Sequence, residues 1–186
     1  MQKSGIIFTL LLVSFFSFTG CGEDDEENLN ETTDFVLSSS EIDTDLLLPT
    51  EYTCDGDGST LPLEWSGVPE GTKSFALVMH HEVSSTDIHW YWIVYNISAD
   101  KSSIAKNEID FGTLGNNSVN GLTAYSPPCS QGPGEKEYIY TLYALSDYVE
   151  FSVSPEEVSR EVLLNAIEDI IIDSSELRVL YSREFD

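Results

Sequence analysis

Three stretches of the chain carry dense apolar and β-branched runs, and all three read as strands. Phe75-Ala76-Leu77-Val78-Met79 follows a Gly67-Val68-Pro69-Glu70-Gly71 turn, and a short unbroken apolar run behind such punctuation predicts a buried strand. His89 to Ile97 (HWYWIVYNI) and Tyr138 to Leu145 (YIYTLYAL) are crowded with aromatic and β-branched side chains, which suit a pleated surface. Between these two, Asp110 to Gly134 holds five Gly, three Pro and three Asn. That is too much punctuation for regular structure, and a long ordered loop of this kind is usually functional. Ser154-Pro155-Glu156-Glu157 then predicts a helix start, with an N-cap, a Pro at the first helical position and a capping-box Glu. Val158, Val162, Leu163, Ala166, Ile167 and Ile170 continue it as an apolar stripe at helical spacing. Ser174-Ser175 predicts a break, and Leu177 to Tyr181 a final strand. The pattern is mainly β with one helix near the C-terminus, and it contains no internal repeat.

The amino-terminal pattern is different. Lys3 precedes an apolar run from Ile6 to Phe18, too short for a comfortable membrane span and flanked like a secretory signal peptide, assigned to residues 1–20. It closes on Phe18-Thr19-Gly20-Cys21, which resembles the bacterial lipobox, whose cysteine is lipidated and becomes the mature N-terminus. The carboxylates of Gly22-Glu23-Asp24-Asp25-Glu26-Glu27-Asn28 repel one another and resist burial, so residues 21–34 read as a solvated tether. The acidic run also resembles the export signal of some surface lipoproteins; a generic spacer is the other reading. Residues 35–186 are left as one folded domain. The expected location is the bacterial cell envelope, lipid-anchored through Cys21 and either periplasmic or surface-exposed.

Length and charge narrow the function classes. A chain of 186 residues is large enough to bury its own core, and a hydrophobic share of 41% argues against global disorder. Eight Lys and Arg against 33 Asp and Glu give a formal net charge of −25. No polybasic patch can be built from so few cations, so nucleic acid is excluded as a partner and membrane contact is left to the lipid anchor. With Cys21 reserved for lipid, Cys54 and Cys129 form an even pair in an oxidising compartment. They are either one disulfide between two turn-rich segments or two buried thiols, and the compartment favours the bond.

Ordered motifs carry a family resemblance. Asp55-Gly56-Asp57-Gly58-Ser59-Thr60-Leu61-Pro62-Leu63-Glu64-Trp65, continuing to Ser74, resembles the opening signature of the phosphatidylethanolamine-binding (Raf-kinase-inhibitor-like) protein family. Trp92 to Ile97 resembles the family's H-W-x-V-x-N-I strand without its histidine, and Pro128-Cys129 with Tyr138 to Leu145 its G-P-C-P-P…H-R-Y-x-F-T-L-Y-A-L segment. Glu176-Leu177 to Tyr181 and Arg183 resemble its closing motif. The resemblance implies an antiparallel β-sandwich with one C-terminal helix and short peripheral helices. It also implies a pocket for phosphate or a phospholipid headgroup, lined by a D-P-D turn, the His of H-W, and the His and Tyr of H-R-Y.

This chain departs from that lining. His81-Glu82-Val83 stand where D-P-D is expected, Tyr91 takes the slot of the H-W histidine, Lys136-Glu137 replace H-R, and Tyr138 is retained. His89 lies two residues before Tyr91, so strand alternation turns both toward one face. The expected ligand-binding set is therefore His81, His89, Tyr91, Lys136 and Tyr138, with no carboxylate assigned to it. A lysine point charge and tyrosine hydroxyls suit a small anion, so the expected partner is a small anionic ligand or phospholipid headgroup.

Other chemistries fare worse. His80, His81, Glu82 and His89 offer metal ligands, but adjacent His80 and His81 point to opposite faces and two ligands do not close a site. No serine sits in a Gly-x-Ser-x-Gly elbow, and Asp55 and Asp57 lack the rest of a calcium loop. The expectation is a non-enzymatic binding protein without cofactor. The alternative is an interaction module or inhibitor of a secreted hydrolase, with a vestigial pocket and contacts through loops such as Leu114–Gly134.

Overall fold

The computed structural model describes residues 34–131 and 133–183; the predicted signal peptide, Cys21 and all but Asp34 of the acidic tether lie outside them. Eight strands run in chain order: β1 (Val36–Ser38), β2 (Leu63–Ser66), β3 (Ser74–Ser84), β4 (Asp87–Ser98), β5 (Ser103–Ile104), β6 (Thr113–Leu114), β7 (Lys136–Leu145) and β8 (Ile171–Tyr181). One α-helix, α1 (Arg160–Ile167), precedes β8, and three single-turn 3₁₀ helices punctuate the loops. The strands form an antiparallel three-stranded sheet in the order β1-β2-β5 and an antiparallel five-stranded sheet in the order β6-β4-β3-β7-β8.

The unbroken apolar run of β3 follows from burial on both faces. Phe75, Leu77 and Met79 pack with Tyr140 and Leu142 of β7 against Leu37, Leu63, Trp65 and Ile104 of the small sheet. Ala76 and Val78, on alternate positions, pack with Ile93, Val158, Leu163 and Ile167 beneath the helix. A strand between two apolar layers has no polar face to alternate with.

The β3–β4 pairing is irregular at three points, and the one between Met79 and His80 matters for the site. Met79 opposes Trp92 while His80 opposes Trp90, leaving Tyr91 as an extra residue. Such a bulge breaks the alternation of faces, and consecutive Tyr91 and Trp92 both join the core between the sheets.

Two boundaries differ from the sequence pattern. Ser154 does carry a capping box, but on the 3₁₀ turn Pro155–Glu157. The helix proper begins at Arg160, and its cap is Ser159, whose side chain accepts from the Val162 N–H at 3.2 Å. Val158 interrupts the two because its side chain is buried and its carbonyl accepts the Asn116 N–H at 2.9 Å. Ala166, counted on the apolar stripe, is exposed. Ser174-Ser175 does not break the last strand: both pair with β7, opposite Tyr143 and Leu142. The Ser175 Oγ accepts the Leu37 N–H at 2.8 Å, so a residue type that disfavours strands serves as a joint to β1.

Cys54 and Cys129 are disulfide-bonded across 75 residues of sequence. Among the described residues, no helix is long and apolar enough to cross a membrane.

His80 lies on the helix side of β3, only 4% exposed, with Nε2 3.5 Å from Glu82. Burial, and secondarily the Arg160 charge, hold its pKa below the usual value of 6.5, against the opposing pull of Glu82 and Glu176. The unfolded chain therefore takes up this proton first on acidification. The stability His80 contributes is full above about pH 6.5 and is lost as pH falls toward the lowered folded value. We expect a His80→Leu variant to lose less stability than wild type between pH 7.5 and pH 5.5, read as the shift of the urea midpoint. Equal shifts in the two proteins would contradict this account.

Candidate functional site

A concavity of about 540 Å³ opens where the ends of β3, β4 and β7 meet the segment after Cys129. All five residues singled out from the sequence line it. His81 comes from β3, His89 and Tyr91 from β4, and Lys136 and Tyr138 from β7. His81 and His89 are direct cross-strand partners, so their side chains share a face. Tyr91, two residues after His89, turns to that face by ordinary alternation, and the bulge holds Trp92 there as well.

The aromatic floor is tightly built. The Tyr138 ring sits 5.4 Å from the His81 ring and 5.3 Å edge-on from that of Tyr91. Tyr91 and Tyr138 are both buried. Burial is the main cause that raises both phenol pKa values, and Tyr138 is raised further by the neighbouring Tyr91. Both hydroxyls therefore keep their protons at neutral pH and can donate hydrogen bonds. His81 Nδ1 lies 2.7 Å from the Glu137 carbonyl oxygen. A carbonyl can only accept, so Nδ1 carries hydrogen and Nε2 is left for a ligand. His89 Nε2 sits 3.2 Å from Asp87. Among the described residues, no carboxylate lies within ion-pair distance of Lys136.

Carboxylates do line the pocket, contrary to the set drawn from the sequence. Glu82, Glu135 and Glu137 all border it. Two of the three are already engaged: Glu82 with His80, and Glu137 with Arg178 at 2.7 Å. Sequence reasoning also missed Ser130. It is 2% exposed, lines the pocket, and its Oγ has no hydrogen-bond partner. Its place next to Cys129 was the available signal, because the disulfide fixes that segment against the pocket. Cys129 itself forms part of the wall.

The rim beneath the disulfide is an ionic knot. Asp55 accepts from Arg183 at 2.6 Å and from the Tyr181 hydroxyl. These partners, Tyr181 first, hold the Asp55 carboxyl below its ordinary pKa. Arg183 also reaches the Cys129 sulfur at 3.7 Å. The DGDG turn and the closing arginine thus brace the pocket wall. Among the described residues, no three His, Cys, Asp or Glu side chains converge as a metal site.

Two antiparallel sheets face to face, with a recessed polar pocket at one end of the larger, form a β-sandwich. Residues 38–182 match the phosphatidylethanolamine-binding protein family, and the chain belongs to it. A UPF0098 protein of Methanothermobacter thermautotrophicus is 32% identical over 141 residues, covering 73% of this chain and 91% of that protein. A UPF0098 protein of Chlamydia trachomatis is 35% identical over 143 residues, covering 74% and 91%. Among solved structures, the phosphatidylethanolamine-binding protein homologue CT736 from Chlamydia trachomatis superposes with a TM-score of 0.72 at 30% identity, covering 81% of this chain and 98% of that one. Escherichia coli YbcL, described as a member of the mammalian PEBP family, gives 0.72 at 26% identity, covering 82% and 100%.

Proposed function

We propose that the pocket between His81, His89, Tyr91, Ser130, Lys136 and Tyr138 binds a small anion of the phosphate or phospholipid-headgroup type, without turning it over. The observation that carries this reading is the buried Ser130 hydroxyl, which lacks a partner in a pocket shared with Lys136. A buried donor without a partner costs free energy that a ligand oxygen would recover. Lys136 supplies a point charge, and the two neutral phenols and the histidines supply directed hydrogen bonds. The ion pair of Glu137 with Arg178 reduces its repulsion of an anion. A serine with no base in hydrogen-bond reach supports binding over nucleophilic catalysis.

An NMR titration of the protein with phosphate and with phosphorylethanolamine tests the proposal. Saturable shifts are expected at His81, His89 and Tyr138. Lys136→Ala should weaken binding by about tenfold or more, the scale of one charge-assisted hydrogen bond. Unchanged affinity in that variant would remove Lys136 from the site, and silence in the wild type would remove the anion reading. A preference for phosphorylethanolamine over phosphate would point to a headgroup ligand.

We further propose that the protein is held in the bacterial envelope by lipid on Cys21. Metabolic labelling with a palmitate analogue is expected to mark the wild type and not Cys21→Ser. Equal labelling of the two would exclude lipid at this cysteine.

A further inference from the structure

A second and larger cavity, about 700 Å³, lies on the other side of the bulge, between β4 and the chain from Asn107 to Tyr125. We infer that it binds a small hydrophobic cation, an aryl- or alkylammonium. Its floor is aromatic: the Trp92 ring meets Phe111 edge-on at 5.9 Å and Tyr125 edge-on at 5.3 Å. Val94 and Leu114 complete an apolar lining. One polar group is stranded in it, the buried Thr123 Oγ1, which has no hydrogen-bond partner. At the mouth, Ile109 is 78% exposed, apolar surface that an occupant would cover.

Charge selects the occupant. The lining contains no Lys, Arg or His, and its carboxylates are Glu108 and Asp110. Glu108 is neutralised by Lys101 at 2.6 Å and by the Ala105 N–H at 2.7 Å. Asp110 is exposed and, among the described residues, has no ion-pair partner. A chain of net charge −25 repels anions from a cavity with no local cation. An aromatic lining beside an uncompensated carboxylate favours an ammonium group, and the cavity volume suits a ligand of about ten to twenty heavy atoms.

The walls are preformed, which lowers the cost of binding. Asn107 is locked to Thr60 by two reciprocal bonds, Thr60 N–H to Oδ1 at 2.9 Å and Asn107 N–H to the Thr60 Oγ1 at 2.8 Å. Asn107 and Asp110 both adopt left-handed backbone, with φ of 57° and 63°, a strain that a surrounding structure must hold in place. Gly112 lies so close to β4 that a Cβ there would stand 2.8 Å from Val94 Cγ1 and 2.9 Å from the Tyr95 carbonyl oxygen. Consecutive Tyr91 and Trp92 thus line different pockets, Tyr91 one that holds Lys136 and Trp92 one that holds no cation.

The test is an amide NMR titration of the whole protein with benzyltrimethylammonium, benzyl alcohol as its neutral counterpart and benzoate as its anionic one. Saturable shifts are expected at Phe111, Leu114, Thr123 and Tyr125 and at the Trp92 indole, with the amides of Lys136 and Tyr138 unmoved. The cation should bind about five- to thirtyfold tighter than the alcohol, the range of a partly desolvated cation–π contact, and benzoate should be weakest. Asp110→Asn should weaken the cation about threefold or more while leaving benzyl alcohol unchanged, the scale of one charge contact near the surface. Binding of benzoate as tight as the cation, an Asp110→Asn effect equal for cation and alcohol, or no saturable shift at these residues overturns the inference. Shifts at the same residues on raising protein concentration alone would assign the cavity to a second copy of the chain and overturn it as well.

Discussion

Replacing both Cys54 and Cys129 with serine is expected to lower stability by about 4 kcal/mol, the chain-entropy estimate for a closed loop of this length. The bond spans 75 residues, a stretch that contains β2 through β6 and ends ahead of β7. Removing it frees the unfolded chain to expand. The folded chain loses a further element, because Cys129 is a pocket wall and Ser130 follows it. Urea unfolding of the double variant, beside wild type under reducing and oxidising conditions, reads the effect. The reduced wild type should match the double variant. A loss below about 1 kcal/mol would mean that the ionic knot of Asp55, Tyr181 and Arg183 fixes this corner by itself. Phosphate affinity measured on the same samples should fall with the bond, since the pocket loses its fixed wall.

Phe75→Ala is expected to cost about 3–5 kcal/mol, the range for removing a fully buried aromatic side chain. Phe75 is where the two sheets meet. Its ring lies 5.3 Å edge-on from Trp65 of the small sheet and 6.1 Å from Phe35, which precedes β1. Alanine would leave a void between layers already joined by short strands, and three-residue β1 would be held only by its pairing with β2, its remaining core contacts and the Leu37–Ser175 bond. The loss should appear in the urea midpoint, with earlier proteolysis near residues 34–40 as a second sign. A Phe75→Leu variant should recover more than half of the loss, because most of the volume returns. If leucine and alanine behave alike, ring contacts rather than volume hold the junction.

The central strands were legible in the sequence because their composition admits few other structures. β3 and the core of β4 and β7 coincide with the three apolar runs, and both-face burial explains why β3 shows no alternation. The boundary shifts have local causes. Ser154 and Ser159 can both cap, and the choice between them was made by Val158, whose burial and bond to Asn116 come from a distant loop. Ser174-Ser175 looks like a break in any sequence window, yet a partner strand supplies the ladder that their own propensity does not. Four of the five pocket residues could be found because family motifs fixed their positions along the strands, and His89 because strand alternation sets it on the face of Tyr91. Ser130 left only its place beside Cys129 as a signal and Glu135 left none, since their approach depends on how the chain after the disulfide lies across β7. The second cavity left only the punctuated Asp110–Gly134 loop as a signal: Trp92, Phe111 and Tyr125 come together only after the Asn107–Tyr125 chain has wrapped back on β4.

The burial profile of β3 separates two kinds of constraint along a single strand. From Ser74 to His80 every residue is buried, and from Glu82 to Ser84 every residue is exposed, with His81 at the changeover. Substitutions beyond that point touch the pocket and not the core, where surface changes usually stay within about 0.5 kcal/mol. His81, His89 and Lys136 can therefore be exchanged for other side chains at little cost to folding, whereas buried Tyr91 and Tyr138 belong to both the pocket and the core. A sandwich arranged in this way can drift in what it recognises while its architecture stays fixed. The replaced D-P-D and H-R positions of this chain are the kind of change such an arrangement permits.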